Sequence, residues 1–242
     1  FEKLAQMESN NFWFRSRNNL ILWALKKYCA RFKSLLEVGC GTGFVLRGIE
    51  RAFPQARIAG SEIYVAGLLS AATRLSNAEL FQMDARKLPY EKEFEVVAAF
   101  DVIEHIREDN LVLQNLYRSI KPGGACLLTI PQHNWLWSPV DEAACHQRRY
   151  EVRELHDKVT AAGFKIVRST SFVTFLLPLM FISRLFSRSM GENKGSEELM
   201  LNHILDRALE VVMRIEIGFI MLGLSFPIGG SRLIVLRRDS NT

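Results

Sequence analysis

The chain has 242 residues, 48% of them hydrophobic and 24% charged, with a formal net charge of +5. That length holds one large α/β domain or a domain with a substantial insertion, and the composition excludes the disordered class. Lys and Arg are spread along the chain rather than packed into a run, so nucleic acid finds no basic stripe.

Four cysteines, Cys29, Cys40, Cys126 and Cys145, lack metal-type spacing and read as reduced thiols of a cytoplasmic protein. No signal peptide stands before the first helical segment, and no uninterrupted apolar run reaches spanning length. From Phe1 to about Tyr28 the pattern is helical, with aromatics and arginines alternating over Asn11-Phe12-Trp13-Phe14-Arg15-Ser16-Arg17. Residues 1–30 read either as a lid, with Arg15 or Arg17 pairing with a ligand carboxylate, or as a packing helix with solvated arginines.

The apolar run Leu35-Leu36-Glu37-Val38 ends in Gly39-Cys40-Gly41-Thr42-Gly43-Phe44, which predicts a buried strand, a tight turn and a helix start. Alternating glycines let a ligand approach the main chain closely, and their spacing does not fit the G-x-G-x-x-G of an NAD-dependent oxidoreductase. A helix over 44–53 stops at Pro54, and a second strand over 56–61 leads to Glu62. An acidic residue about twenty positions beyond such a loop accepts from ribose hydroxyls. A helix over 64–75 and a third strand over 78–82 precede Asp84.

Phe94 to Phe100 reads as a fourth strand, followed directly by Asp101-Val102-Ile103-Glu104-His105. Ligands bind at the carboxyl ends of strands in open α/β sheets, which puts this cluster where chemistry is done. A helix over 107–120, the turn Lys121-Pro122-Gly123-Gly124 and a strand over 125–130 follow. A polar and aromatic loop from Pro131 to Arg149 carries His133, Trp135, Asp141, His146 and Arg149, and is suited to building a substrate pocket. A helix over 151–162 then leads to a sixth strand over 164–172, and 231–237 reads as a last strand.

The spacing E-x-G-x-G-x-G, Glu62, Asp84, the D-x-x-E-H cluster and the Ile120-Lys121-Pro122-Gly123-Gly124 turn together resemble the class I S-adenosylmethionine (SAM) dependent methyltransferases. That resemblance implies one domain over 1–242, with a Rossmann-like, mostly parallel seven-stranded sheet in the order 3-2-1-4-5-7-6 and helices on both faces. It implies SAM as cofactor, giving S-adenosylhomocysteine, held by Glu37, Gly39, Cys40, Gly41, Gly43, Glu62, Ile63, Asp84, Ala85, Phe100 and Asp101. Asp84 would accept from the adenine amino group. The expected reaction is methyl transfer to an oxygen of a small-molecule or lipid-linked acceptor, with His105 as general base and Glu104 and His146 beside it.

Asp101, Glu104 and His105 are also similar to the E-x-x-E-H of ubiquinone-pathway O-methyltransferases and small-RNA 2′-O-methyltransferases. Asp replaces the first Glu here, and a divalent ion, completed by His133 or His146, is not the favoured reading. No N/D-P-P-Y tetrad follows the fourth strand, which argues against methylation of adenine or glutamine amino groups. N- or C-methylation and a SAM-binding interaction module without turnover stand as the alternatives.

Where the family pairs its last two strands directly, this chain inserts residues 173–226. An apolar segment broken by Pro178 is followed by a linker over 191–195 and a helix from Glu197 to about Leu222. Leu201, Leu205, Ala208, Val212, Ile215, Phe219 and Leu222 recur at helical spacing as its packed face, with His203, Asp206, Arg207, Glu210 and Arg214 facing away. The insertion reads as an added helical layer. Its other readings are a pocket cover, a homodimer interface, and peripheral membrane contact through 172–188.

Overall fold

The computed structural model describes residues 1–190 and 202–240. In chain order the elements are α1 (Glu2–Asn10), α2 (Phe12–Tyr28), β1 (Ser34–Val38), α3 (Phe44–Ala52), β2 (Arg57–Glu62), α4 (Val65–Arg74), β3 (Glu79–Gln82) and β4 (Phe94–Phe100). Then come α5 (Asp109–Ser119), β5 (Ile120–Pro131), α6 (Pro139–Ala143), α7 (Val152–Ala161), β6 (Lys165–Phe172), α8 (Leu177–Met190), α9 (His203–Met221) and β7 (Ser231–Arg237). The sheet runs β3-β2-β1-β4-β5-β7-β6, as expected. β7 is antiparallel to both its neighbours, and the other pairings are parallel.

Side chains alternate across the pleat, so neighbouring residues feed opposite layers. Leu35 joins Leu46, Ile49, Leu127 and Val235 on one face, under α2, α3 and α9. Leu36 joins Val97, Leu113, Leu116 and Ile234 on the other, under α5 and α7. The order of strands reverses between β1 and β4, and a crevice opens where their carboxyl ends diverge. The helical N-terminal stretch is two helices rather than one. Asn11 is extended between them, and its side chain caps α2 by accepting from the Trp13 N–H.

α8 and α9 lie between β6 and β7, and α9 corrects the expected packed face. Asp206 and Glu216 are buried and Glu210 is half-buried, whereas Ala208, Ile215, Phe219 and Leu222 are exposed. The core residues of α9 are Met213, Ile217 and Ile220. Helical period says which residues share a face but not which face is covered, and here ionic partners decide. Arg15 of α2 donates to Asp206 at 2.5 Å and to Glu210 at 2.6 Å. The Glu216 carboxylate accepts the Thr174 and Phe175 N–H groups at 2.8 and 2.7 Å, ahead of α8. The linker over 191–195 and the expected helix start over 197–201, Leu201 included, lie outside the described residues.

Arg15 holds the Glu210 carboxyl below its ordinary range. A depressed carboxyl adds stability that is present above the unfolded value, about 4.3, and is lost as pH falls through the folded value. Arg15→Ala is therefore expected to lower stability by about 1–3 kcal/mol near neutral pH, because it strands two partly buried carboxylates. Urea unfolding should show that penalty shrinking in acid, below about pH 4. An equal penalty at both pH values would assign the loss to packing alone.

Candidate functional site

The glycine loop leaves β1 with Gly39, Gly41 and Gly43 all in the left-handed region. At Gly39 a Cβ would meet the Val102 side chain at 2.5 Å, so only glycine fits there. Around Gly41 no atom lies within 4 Å of a Cβ position, and the residue borders a cavity of about 1250 Å³. Gly43 does not line that cavity. It starts α3, and a Cβ there would meet Ala71 at 3.0 Å. The other expected cofactor residues do line it: Glu37, Gly39, Cys40, Gly41, Glu62, Ile63, Asp84, Ala85, Phe100 and Asp101.

Glu62 ends β2 with its carboxylate facing the loop. It accepts from the Gly41 N–H at 3.0 Å and from the Ile63 and Tyr64 N–H groups at 2.8 and 3.0 Å. Asp84 is engaged by Arg86, which donates to it through Nε and Nη2. Glu37 is buried on β1, and its Oε2 has no hydrogen-bond partner. Burial pushes its pKa up to about 8, with Arg17 opposing the shift and Glu8 and Glu62 adding to it.

Arg17 and Arg15 part company. Arg15 turns to α9, while the Arg17 guanidinium enters the cavity, pairs with Asp101 and lies over the Trp13 ring at 4.6 Å. Asp101, at the end of β4, takes a φ of 55°, a conformation that Asp tolerates better than most residues. Thr129 Oγ1 donates to the same carboxylate at 3.1 Å. Glu8 of α1 bonds Thr42 in the glycine loop at 2.5 Å and Arg74 at 2.6 Å, tying α1 across the cavity. Neither Glu8 nor Arg74 carries any sequence signal, because each is defined by a contact more than thirty residues away.

Glu104 and His105 occupy a short 3₁₀ turn after β4, and His146 reaches them from the loop after α6. One ligand atom from each of Glu104, His105 and His146 lies within 4.8 Å of the others. The two imidazole rings meet edge to face at 4.7 Å. Glu104 is fully buried, and neither carboxylate oxygen receives a hydrogen bond from another residue. Burial, and then the Asp101 charge, push its carboxyl well above the ordinary range.

Burial, with the His146 charge second, lowers the His105 pKa below the ordinary imidazole value. Asp141, fully buried, approaches His146 Nδ1 at 2.9 Å and accepts from Arg149 Nε at 2.7 Å. It also forms a capping box with Ser138. His133 does not join the group. It lies against Glu151 and Gln132 and stacks on Trp135.

Beyond this polar centre the cavity continues under the inserted helices, where Leu176, Leu179, Met180, Leu205 and Leu209 form an apolar wall. Residue types alone could not place this wall, because α9 is set on the domain by Arg15 of α2 and by the Glu216 bonds to the Thr174 and Phe175 N–H groups, contacts far apart in sequence.

A family model described as a methyltransferase domain matches residues 9–169. A probable S-adenosylmethionine-dependent methyltransferase of Mycolicibacterium smegmatis is 26% identical over 167 residues, 66% of this chain and 62% of that relative. A ubiquinone biosynthesis O-methyltransferase of Pseudomonas putida is 27% identical over 118 residues, 46% of this chain and 50% of the relative. The chain thus spans less than two thirds of these relatives. Among solved structures, phosphoethanolamine N-methyltransferase 2 of Haemonchus contortus, in complex with S-adenosyl-L-methionine, superposes with a TM-score of 0.61. It shares 17% identity over 91% of this chain and 52% of its own, a likeness of fold. With its strand order, glycine loop and matched residues, the chain belongs to the methyltransferase domain family, as a class I, S-adenosylmethionine-dependent member.

Proposed function

We propose that the protein transfers the methyl group of SAM to an oxygen of a small-molecule or lipid-linked acceptor, with His105 taking the acceptor's proton. One observation carries this reading. A single cavity joins the glycine loop and Glu62 to the pair His105 and His146, and its volume of about 1250 Å³ exceeds the roughly 300–1,000 Å³ of a one-ligand pocket. Cofactor and acceptor therefore have room side by side, and holding them in line supplies about 7–11 kcal/mol of the barrier reduction.

In the transfer the sulfur–methyl bond breaks with its electron pair remaining on sulfur, and a carbon–oxygen bond forms. The proton from oxygen passes to an imidazole nitrogen of His105. The lowered pKa keeps that ring neutral and able to accept near neutral pH. His146, fixed from behind by Asp141, holds the second ring against it.

A second reading is favoured by the two unbonded oxygens of the buried Glu104. With His105 and His146 they fit a divalent cation, a mixed nitrogen and oxygen set in which Asp141 orients one imidazole. Such an ion would lower the pKa of an acceptor hydroxyl. Turnover that persists in EDTA and does not rise with added magnesium or zinc would remove this second reading.

His105→Ala is expected to lower turnover about 10²–10⁴-fold while leaving the SAM dissociation constant within a few-fold. The acidic limb of the wild-type rate profile should fall below about pH 6.5, because a lowered pKa leaves the base unprotonated further into acid. A variant within a few-fold of wild type would end the role of His105 as base.

Glu37 generates a separate expectation. Below about pH 8 its carboxyl holds a proton in the free protein, whereas a cationic donor favours the ionised form. SAM affinity should thus rise with pH up to about 8, with proton release visible by calorimetry in buffers of different ionisation enthalpy. Because the folded-state pKa is raised, wild-type stability falls as pH rises from the unfolded value, about 4.3, towards that limit. Glu37→Gln should flatten the affinity profile and raise Tm at neutral pH by at least about 2 °C. A pH-independent SAM affinity in the wild type would show that Glu37 does not meet the cofactor.

A further inference from the structure

We infer that the outer face of α8 and α9 docks on a lipid surface bearing anionic headgroups. The reversal of α9 is the first observation. All three of its carboxylates point inward, Asp206 and Glu210 to Arg15 and Glu216 to the main chain ahead of α8. The exposed side is left with Ile204, Val211, Ile215, Phe219 and Leu222, and Ile204 and Leu222 are 78% and 81% exposed. Large side chains are seldom so open on a soluble surface, and contiguous rows of them mark interaction sites. The adjoining α8 adds Leu179, Phe181 and Ile182, also exposed.

Charge identifies the occupant. Arg207 and Arg214 are exposed within the apolar stripe of α9. Arg214 reaches back to Glu210 at 2.8 Å, and Arg207 has no ion pair among the described residues. No exposed carboxylate of α9 lies on this side. A second copy seated on it about a two-fold axis would bring Arg207 towards its own counterpart, with no exposed carboxylate of α9 to meet it. Anionic lipid offers the complement: phosphates for the guanidinium groups and the acyl boundary for the apolar residues between them. No helix among the described residues is long and apolar enough to cross a membrane, so the contact is one of lying on the surface.

The face also opens on the cavity. Leu179 and Leu205 are exposed and at the same time line the apolar wall. A chain docked this way presents its cavity mouth to the lipid, so an acceptor with a hydrocarbon tail enters without crossing water. This last consequence rests on the methyltransferase reading, whereas the docking itself does not.

The test spins the full chain with vesicles of phosphatidylcholine alone and of phosphatidylcholine mixed with phosphatidylglycerol, with SAM binding measured in parallel by calorimetry. Wild type is expected to pellet with the anionic vesicles and to stay largely in the supernatant with neutral ones. Val211→Asp with Ile215→Asp should weaken vesicle binding at least about tenfold, with SAM affinity and Tm unchanged because both positions are exposed. Arg207→Glu should reduce binding to the anionic vesicles without altering the fold.

Wild type absent from both pellets, or an Asp variant that pellets like wild type, overturns the inference. So does a wild-type dimer that the Asp variant splits, which gives the face to a second copy. Vesicle binding without SAM binding upholds docking and defeats the methyltransferase reading. SAM binding without vesicle binding does the reverse.

Discussion

Arg15 is the constraint on which the upper half of the molecule depends. Its guanidinium sits between α2 and α9 and holds Asp206 and Glu210, while Asp206 also accepts the Phe12 N–H at the start of α2. One cation therefore fixes the entry of the N-terminal helix and the rotation of the inserted one. With those two carboxylates turned in, helical period forces Val211, Ile215 and Leu222 outward. An amphipathic helix placed in this way packs Met213, Ile217 and Ile220 on the domain core and leaves a second apolar stripe outside. It also helps to close the cavity, with Leu205 and Leu209 as part of the wall.

Beneath that roof the site concentrates groups that folding alone would not favour. Glu37 and Glu104 are buried carboxyls with unbonded oxygens, and Asp101 holds a left-handed backbone beside them. Apolar burial on both faces of the sheet offsets this, since β1 and β4 are packed between two dense layers. The local conflict is the pattern expected of a binding site built on a stable scaffold, where polar groups are kept uncompensated for a ligand.

How legible the molecule was in its sequence depends on the range of the interaction concerned. The strands and the glycine loop follow from local signals: apolar runs of strand length, Gly39 and Gly41 at the turn, and Glu62 at the end of β2, whereas the order of the strands came with the family resemblance. Glu104 and His105 were readable because they follow β4 directly. His146 was named with them, but its approach depends on Asp141 and Arg149 holding the loop. Alternating glycines look alike in sequence, so the difference between Gly41, which borders the cavity, and Gly43, which packs against Ala71, is not legible there. The covered face of α9 is not legible for a related reason. Its partner Arg15 lies 191 residues from Asp206, and no spacing rule connects them.

The charges lining the cavity bear on how a methyl donor and its product would be told apart. Near the centre, Glu37, Glu62, Asp101 and Glu104 face Arg17 and Arg149, so carboxyls outnumber guanidinium groups there. A sulfonium donor carries positive charge on the sulfur, and the thioether left after transfer does not. Such an excess of carboxyls, once ionised, would draw the donor and hold the spent cofactor less tightly, most of all at the Glu37 side where burial limits screening. Arg17 moderates this. It pairs with Asp101 while Glu37 Oε2 keeps no hydrogen-bond partner, and the same pair anchors α2 over the crevice. A ligand that competes for Asp101 would then meet one of the ion pairs that hold α2 over the crevice, the others being those of Arg15 with Asp206 and Glu210.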